Sequence, residues 1–398
     1  MGTRCRVLAG LLVPGLLIPG LLLFVSACKT SSSTTSSSTG ALFVATQGDS
    51  SVSAFSIDLT TGKLTANSTG VATGTTPSAM ILAPSGNALF IANSASNDIS
   101  AYTVKSDGTL TAAGGTQPAG MIPLSLAMDS GGHFLFVANQ GQQSDPASST
   151  ISVFSVQDAT LTQIPGSPFP TAAGLASSGT GPAAVAVTPD GKFLYVANQF
   201  DGTVTMYAVN TTSGALTQGT SVPVGTAPSA LAITPDGGFL YVANSGSSNV
   251  SAFAICNQVV TTCGNPTSPD GSLAAVSGSP FSAGLDPVSI AAAPSGKFLY
   301  VVNRLSNQIS QFKISTGTGA LTANTQATIS TGANPVWAVV QTGTTTITST
   351  GGTTDFLYVA NIGAATISAY SFDSTVGTLG LVGTPVTTAG QPSAIATK

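Results

Sequence analysis

The stretch Pro189–Asn198 reads Pro-Asp-Gly-Lys-Phe-Leu-Tyr-Val-Ala-Asn, which is a turn followed by an apolar strand. The strand recurs at intervals that run from 46 residues (Leu89 to Leu135) to 59 residues (Leu135 to Leu194). Its copies begin at Leu42, Leu89, Leu135, Leu194, Leu240, Leu299 and Leu357. A repeat of this length indicates an architecture in which each unit is a small sheet whose faces are covered by neighbouring units.

One repeat unit contains four predicted strands, which we label A to D. In the unit that starts at Pro228, strand A is the apolar run Pro228–Thr234 and strand B is Phe239–Asn244. Strand C is the alternating segment Val250–Ile255, and a short strand D follows in most units. Turn residues rich in Gly, Pro, Asp and Ser separate them.

The two ends of the chain carry complementary parts of a unit. The first B strand, Leu42–Thr46, has no A strand before it, and the last A strand, Pro392–Ala396, has no B strand after it. Pairing of the C-terminal strand with the N-terminal strands would close a ring and remove the open edges. The sequence therefore predicts an all-β fold: a seven-bladed β-propeller of four-stranded blades over residues 41–398.

The segment at residues 189–198 resembles the YVTN-type repeat, and residues 41–398 resemble the lactonase-like seven-bladed propellers, the superfamily that includes bacterial 6-phosphogluconolactonase. The resemblance implies the propeller fold. It is weak evidence for one activity, because the repeated residues are structural and function lies in the loops that do not repeat.

The N-terminus is predicted to be a targeting segment followed by a linker. Arg4 and Arg6 precede an apolar stretch that ends in Val25-Ser26-Ala27-Cys28, which resembles the lipobox of bacterial lipoproteins. We expect residues 1–28 to be a lipoprotein signal peptide with acylation at Cys28, and residues 29–40 to be a Ser/Thr-rich linker. An ordinary signal peptide or an uncleaved anchor is the alternative. The expected location is the bacterial cell envelope, periplasm or outer membrane, with membrane attachment through the lipid alone.

Two cysteines lie close together in a long insertion. Cys256 and Cys263 are expected to form a disulfide, because the protein is expected to be exported and no histidine lies near them.

Composition excludes several classes of function. Charged residues make up 6% of the chain, the formal net charge is −4, and every acidic residue is Asp. Without clustered Lys and Arg the chain is not expected to bind nucleic acid. No metal and no cofactor are expected: an Asp-based calcium site is conceivable, but no Asp-x-Asp-x-Asp spacing supports it. We expect a monomer.

Candidate ligand residues fall on the propeller face that carries the B–C and D–A loops, where ligands usually meet the central channel. The candidates are Phe200, Asp201, Asp286, Arg304 and Trp337. Arg304 and Asp286 have two interpretations, a surface ion pair or an anchor for a ligand carboxylate. Trp337 either packs or stacks on a ligand.

Other conspicuous residues have plainer interpretations. His133, the one histidine, lies in an A–B turn on the opposite face, where a solvated turn residue is expected rather than a catalytic one. The Asn that ends most B strands is expected to be structural, through hydrogen bonds to nearby backbone groups.

For function, the sequence favours a binding or scaffold module displayed in the envelope that contacts a protein or glycan partner. The alternative is a lactonase-like hydrolase acting on a sugar or other lactone, and a spacer without a ligand is a third possibility. Hydrolysis needs an activated water, and the channel face offers no Glu, no His and only dispersed Asp residues for this purpose. The catalytic residues are therefore left unknown.

Overall fold

The computed structural model describes residues 39–67, 70–171, 179–256 and 270–398. These residues form seven antiparallel sheets, and the predicted all-β seven-bladed propeller is confirmed. We number the strands along the chain and the blades I to VII. Each blade runs from an innermost A strand through B and C to an outer D strand.

The A strands all begin at a proline. They are β5 (Pro77–Leu82), β10 (Pro123–Met128), β15 (Pro182–Val187), β19 (Pro228–Ile233), β24 (Pro287–Ala292), β28 (Pro335–Gln341) and β33 (Pro392–Thr397). In blade order I to VII they are β33, β5, β10, β15, β19, β24 and β28. Each A strand contacts the A strands of the two adjacent blades, so the seven form a closed inner ring.

The B and C strands form the middle of each blade. In blade order, the B strands are β1 (Thr39–Thr46), β6 (Ala88–Asn93), β11 (Phe134–Asn139), β16 (Phe193–Asn198), β20 (Phe239–Asn244), β25 (Phe298–Asn303) and β29 (Thr354–Asn361). The C strands are β2 (Ser51–Asp58), β7 (Asp98–Val104), β12 (Thr150–Gln157), β17 (Thr203–Val209), β21 (Asn249–Ile255), β26 (Gln308–Ile314) and β30 (Thr366–Asp373).

The outer D strand is continuous in blades IV and VI, as β18 (Leu216–Pro223) and β27 (Leu321–Ser330). In the described part of the other blades it is broken into two pieces that pair with the same C strand. The pieces are β3 (Leu64–Ala66) and β4 (Val71–Ala72), β8 (Leu110–Ala112) and β9 (Gln117–Pro118), β13 (Thr160–Gln163) and β14 (Phe169–Pro170), β22 (Leu273–Ala275) and β23 (Phe281–Ser282), and β31 (Gly380–Leu381) and β32 (Val386–Thr387).

The ring closes in blade I through the two ends of the chain. Strand β33 pairs antiparallel with β1, with Phe43 opposite Ala396 and Ala45 opposite Ala394. Strand β1 begins at Thr39, so it also includes the last two residues of the predicted linker. The expected closure by the C-terminal strand is confirmed.

The B strands read as continuous apolar runs because both of their faces are buried. In β1, Leu42 and Val44 pack against Phe356 and Tyr358 of blade VII. Phe43, on the other face, packs with residues of blade II. Successive side chains of a strand point to opposite faces, so one strand contributes to the cores on both sides of its blade.

Buried tyrosine hydroxyls tie neighbouring blades together. Four B-strand tyrosines each donate a hydrogen bond to the carbonyl of a glycine in the C–D turn of the next blade. The pairs are Tyr195 with Gly271, Tyr241 with Gly319, Tyr300 with Gly377 and Tyr358 with Gly62, at 2.6 to 3.0 Å. Burial raises the pKa of these four phenols, which keeps them neutral donors.

Gly377→Ala is expected to destabilise the protein for two reasons. Gly377 has a φ of +73°, and an added Cβ would lie 2.2 Å from the Phe298 ring of the preceding blade. A left-handed backbone costs an alanine about 1–2 kcal/mol, and the overlap with the ring adds to it. Thermal unfolding measures the loss. Gly383→Ala is the matched control, because Gly383 also has a positive φ but no atom within 4 Å of an added Cβ.

Several predictions concern residues outside the described ranges. The signal peptide, Cys28 and most of the predicted linker fall in residues 1–38. Cys256 lies just after β21, but Cys263 is outside the described residues, so their disulfide stays a prediction. In the part of the chain that the structure describes, no helix has the length and apolar character needed to cross a membrane.

Candidate functional site

A β-bulge in each innermost strand builds the mouth of the central channel. In every A strand the register shifts between the opening proline and the third residue, which leaves the second residue without a partner on the B strand. A bulge redirects a side chain, and bulges recur beside functional sites. The seven second residues line one cavity: Ser78, Leu124, Ala183, Ser229, Val288, Val336 and Ser393.

The remaining wall of this cavity, the channel mouth, comes from the B–C loops and from one A strand. Five of its residues directly follow the end of a B strand: Gln47, Ser94, Gln199, Arg304 and Ile362. Trp337 completes the wall. The mouth has a volume of about 400 Å³, which lies within the range of small-molecule sites, roughly 300–1,000 Å³.

Trp337 partly fills the channel below the mouth. It is the third residue of its A strand, and the other six blades have only Ala or Ser at this position. The side chain packs against hydrophobic clusters that include residues of blades I, II and III, so it extends across the axis from blade VII. It also lines the deeper cavity of about 170 Å³. The sequence allowed two interpretations of Trp337, packing inside the protein or stacking on a ligand. The structure shows that the side chain packs against the hydrophobic clusters and also lines the mouth.

Arg304 and Asp286 form an ion pair at the rim of the mouth. Arg304 Nε donates to Asp286 Oδ2 at 2.7 Å, and the Arg304 amide donates to the Asp286 carbonyl at 2.8 Å. The Asp286 side chain is 13% exposed and that of Arg304 47% exposed. Asp286 has a φ of +58°, a conformation that Asp tolerates better than most residues. The predicted proximity of these two residues is therefore observed, and the pair fixes the orientation of the guanidinium.

Neutral hydrogen-bonding groups occupy the rest of the rim. Gln140 Nε2 donates to Gln199 Oε1 at 2.6 Å. Ser78 and Ser229 donate to the carbonyls of Pro123 and Pro287, at 2.6 and 2.7 Å, each across to the next blade. These bonds hold the rim in place, and the side chains present both polar and apolar atoms to the mouth.

Phe200 and Asp201 do not line the mouth. Phe200 lies over Gly181, whose added Cβ would meet the ring at 2.4 Å. Its neighbour Asp201 is exposed, and partial desolvation raises the pKa of its carboxyl above the ordinary value. The structure brings together Arg304, Asp286 and Trp337 but not this second pair, because the second residue of a B–C loop lies over the preceding D–A loop rather than over the channel.

The repeated asparagines are structural, as expected. Each is buried, and its Nδ2 donates to a hydroxyl of the adjacent C strand at 2.9 to 3.0 Å, for example from Asn303 to Ser310. In two blades the side-chain oxygen also accepts from a D–A loop glycine, as in Gly284 to Asn303 at 3.1 Å. Hydroxyl partners, more than backbone groups, account for their recurrence.

His133 lies in the turn between β10 and β11, on the face opposite the mouth. Its side chain is 73% exposed, and Nδ1 lies 3.2 Å from Asp129 Oδ2. The expected turn position is observed. Among the described residues, no group of three or more His, Cys, Asp or Glu side chains is arranged to hold a metal ion.

Comparison with known proteins gives the family. The model of the family described as "Lactonase, 7-bladed beta-propeller" matches residues 66–148, 146–262 and 272–397, which is most of the chain. The chain belongs to this lactonase family. None of the curated proteins matches it.

Solved structures of similar proteins show the same fold. One is a putative 6-phosphogluconolactonase from Bacteroides fragilis, with 24% identity, a TM-score of 0.72, and coverage of 92% of this chain and 99% of that chain. Another is the periplasmic gluconolactonase of Pseudomonas aeruginosa, with 21% identity, a TM-score of 0.70, and coverage of 90% and 99%. At these identities the likeness establishes the architecture alone.

Most residues that line the mouth were not predicted from the sequence, yet their positions follow a simple rule. They occupy the positions directly after the repeated proline and directly after the end of the B strand. The residue types at these positions differ between blades, so the motif itself does not mark them. Alignment of the seven units would have indicated them, together with the substitution of Trp for Ala or Ser at residue 337.

Proposed function

We propose that the protein is a lactone hydrolase that binds its substrate at the channel mouth. The observation that carries the proposal is membership of the lactonase family over most of the chain. The family match favours this reading, which the sequence offered only as an alternative, over a scaffold. The substrate class is a sugar lactone or another lactone of similar size.

The geometry supports a division of roles between five residues, of which Arg304 has the central one. Arg304 is the one charged residue among those that line the mouth in the described structure, and it is the residue best suited to contact the lactone carbonyl. Water adds to the carbonyl carbon, negative charge develops on the carbonyl oxygen, and the ring C–O bond then breaks to give a hydroxy acid. A fixed guanidinium stabilises that charge.

Asp286 acts as a positioning residue for Arg304. The pair uses Arg304 Nε, which leaves the terminal nitrogens of the guanidinium for contact with a ligand. Trp337 provides an aromatic surface against which the apolar face of a ring can pack. Gln47 and Gln199 supply amide groups that can hydrogen-bond a water molecule or substrate hydroxyls.

Charge on this face favours an uncharged substrate. Asp49, Asp98, Asp145, Asp201 and Asp286 all lie in or beside the loops of the channel face, against one Arg304. A phosphorylated lactone would meet net repulsion, whereas a neutral lactone would not. The hydroxy-acid product is an anion, so the same field favours its release.

Binding without turnover is the second candidate function. It is favoured by the absence of a carboxylate or imidazole among the described residues that line the mouth, because such a group is the usual base for activating water. In this second function the mouth would bind the protein or glycan partner that was expected from the sequence.

A hydrolysis screen separates the two candidates. The purified protein is assayed by pH-stat against sugar δ-lactones, simple γ-lactones and acyl-homoserine lactones. We expect ring opening well above the spontaneous rate for at least one class. Saturable binding of the lactones without turnover would favour the binding module, and neither binding nor turnover would contradict the proposal.

We propose further that the protein is exported and acylated at Cys28. The proposal rests on the sequence of residues 1–28, and the similarity to a periplasmic gluconolactonase of Pseudomonas aeruginosa agrees with export. We expect mass spectrometry to find a lipid-modified Cys28 as the mature N-terminus, and Cys28→Ser to release the protein from the detergent-soluble membrane fraction. An unmodified terminus at another residue would contradict the proposal.

A further inference from the structure

Two exposed leucines flank the ion pair at the mouth. Leu285 precedes Asp286 in the D–A loop that enters blade VI, and Leu305 follows Arg304 in the B–C loop of the same blade. They are 59% and 65% exposed, the two largest values among the large hydrophobic side chains of the described residues that are exposed. Adjacent apolar side chains exposed at the rim of a cavity are typical of ligand-binding grooves.

The repeat shows that these two positions face each other. In blade II the equivalent residues are Thr75 and Ala95, and the Ala95 amide donates to the Thr75 carbonyl at 3.2 Å. In blade V they are Thr226 and Gly246, and a Cβ added to Gly246 would lie 3.2 Å from the Thr226 Cβ. By this equivalence we place Leu285 and Leu305 side by side as one apolar patch, which we call the leucine pair.

The leucine pair adjoins the mouth through Arg304. Arg304 lines the mouth, and Leu305 is its neighbour in the chain. Suppose that the carbonyl oxygen of a lactone contacts the guanidinium. A substituent on the lactone ring could then extend to the two leucines. Leu285 directly precedes Asp286 and Leu305 directly follows Arg304, so the patch lies beside the ion pair at the rim of the proposed substrate site.

We infer that the substrate is a lactone with a short apolar tail, and that the tail lies across Leu285 and Leu305. This inference rests on the proposed function and names the substrate class of that site. Two leucines are far too small an area for a stable protein interface, which buries about 800 Å² per partner. The charge of the whole channel face, five Asp against one Arg, disfavours an anionic membrane surface. A flexible alkyl chain of roughly four to eight carbons is small enough for the leucine pair and carries no charge.

The test uses a series of N-acyl lactones that share one head group and differ in the length of the chain. Hydrolysis is followed by pH-stat, and binding by the fluorescence of Trp337, the one tryptophan of the chain. We expect affinity to rise about twofold for each methylene up to about eight carbons and then to level off, since full burial of a methylene gives about fourfold. A flat series would overturn the inference.

The decisive variant is Leu285→Thr with Leu305→Ala, which gives blade VI the residues of blade II at these positions. It is expected to weaken binding of the eight-carbon substrate about tenfold and to leave the unacylated lactone unchanged. The matched control replaces two other exposed apolar residues, Val376→Thr with Leu381→Ala, in the C–D connection and the outer strand of blade VII. Equal losses in both double variants would contradict a specific role for the leucine pair.

The two assays separate failure of this inference from failure of the proposed function. Chain-length-dependent binding without ring opening would retain the leucine pair as a tail site and contradict the hydrolase. Hydrolysis of lactones with no dependence on chain length would retain the hydrolase and contradict the tail site.

Discussion

Arg304→Ala is expected to reduce kcat/KM for lactone hydrolysis by about 100-fold, because removing a donor to a developing oxyanion costs on the order of 10²–10³ in rate. The guanidinium is held by Asp286 at 2.7 Å and lines the mouth. Among the described residues that line the mouth, no second cation takes its place. The kinetics are measured at saturating and at low substrate, so that losses in kcat and KM are separated.

Three further variants define the role of Arg304. Arg304→Lys keeps the charge but loses the planar donor geometry, and is expected to retain about a tenth of the activity. Asp286→Asn keeps the shape of the positioning residue and is expected to cost less than Arg304→Ala. Lys297→Ala is the matched control: it removes a cation from the A–B turn of the same blade, on the opposite face, and is expected to leave activity unchanged. Full activity of Arg304→Ala would contradict the proposed site.

Removal of residues 392–398 is expected to cost more than about 5 kcal/mol of unfolding free energy. The deletion takes away β33, whose Ala394, Ile395 and Ala396 are buried against neighbouring blades. Loss of the Ile395 side chain alone corresponds to about 2–5 kcal/mol. The deletion also leaves β1 without its inner partner, so backbone groups paired with β33 lose their hydrogen bonds.

Thermal unfolding of the truncated and full-length proteins measures this effect. Lys398→Ala is the control for changes at the C-terminus, because it keeps the strand and removes only a partly exposed side chain whose Nζ donates to the Lys105 carbonyl. If the truncated protein melted at the temperature of the full chain, the C-terminal strand would not hold the ring closed.

The fold was predictable because its determinants are repeated and local. The B strand that begins at Leu42 has no A strand before it, and the A strand that begins at Pro392 has no B strand after it. That offset predicts closure of the ring directly. Burial on both faces then follows from the continuous apolar B strands, since a strand with one solvated face would alternate.

The sequence predicted only the part of the site whose residues belong to a single blade. Asp286 and Arg304 lie in two loops of blade VI, 18 residues apart, and a repeat unit is enough to place them together. The rest of the mouth joins residues from all seven blades, and those after the opening prolines reach it through bulges that a single repeat unit does not reveal. Phe200 and Asp201 are not among the residues that line the mouth, because membership of a B–C loop does not give the direction of a side chain.

The fluorescence of Trp337 tests the central claim most directly, because this side chain lines the mouth and is the one tryptophan of the chain. The wild-type protein is mixed with a lactone that it hydrolyses, and the signal is followed through turnover. We predict a saturable change whose half-saturation equals KM, which decays at the rate of hydrolysis and is strongly weakened in Arg304→Ala. Turnover at full rate with no change in Trp337 fluorescence would contradict binding and hydrolysis at the channel mouth.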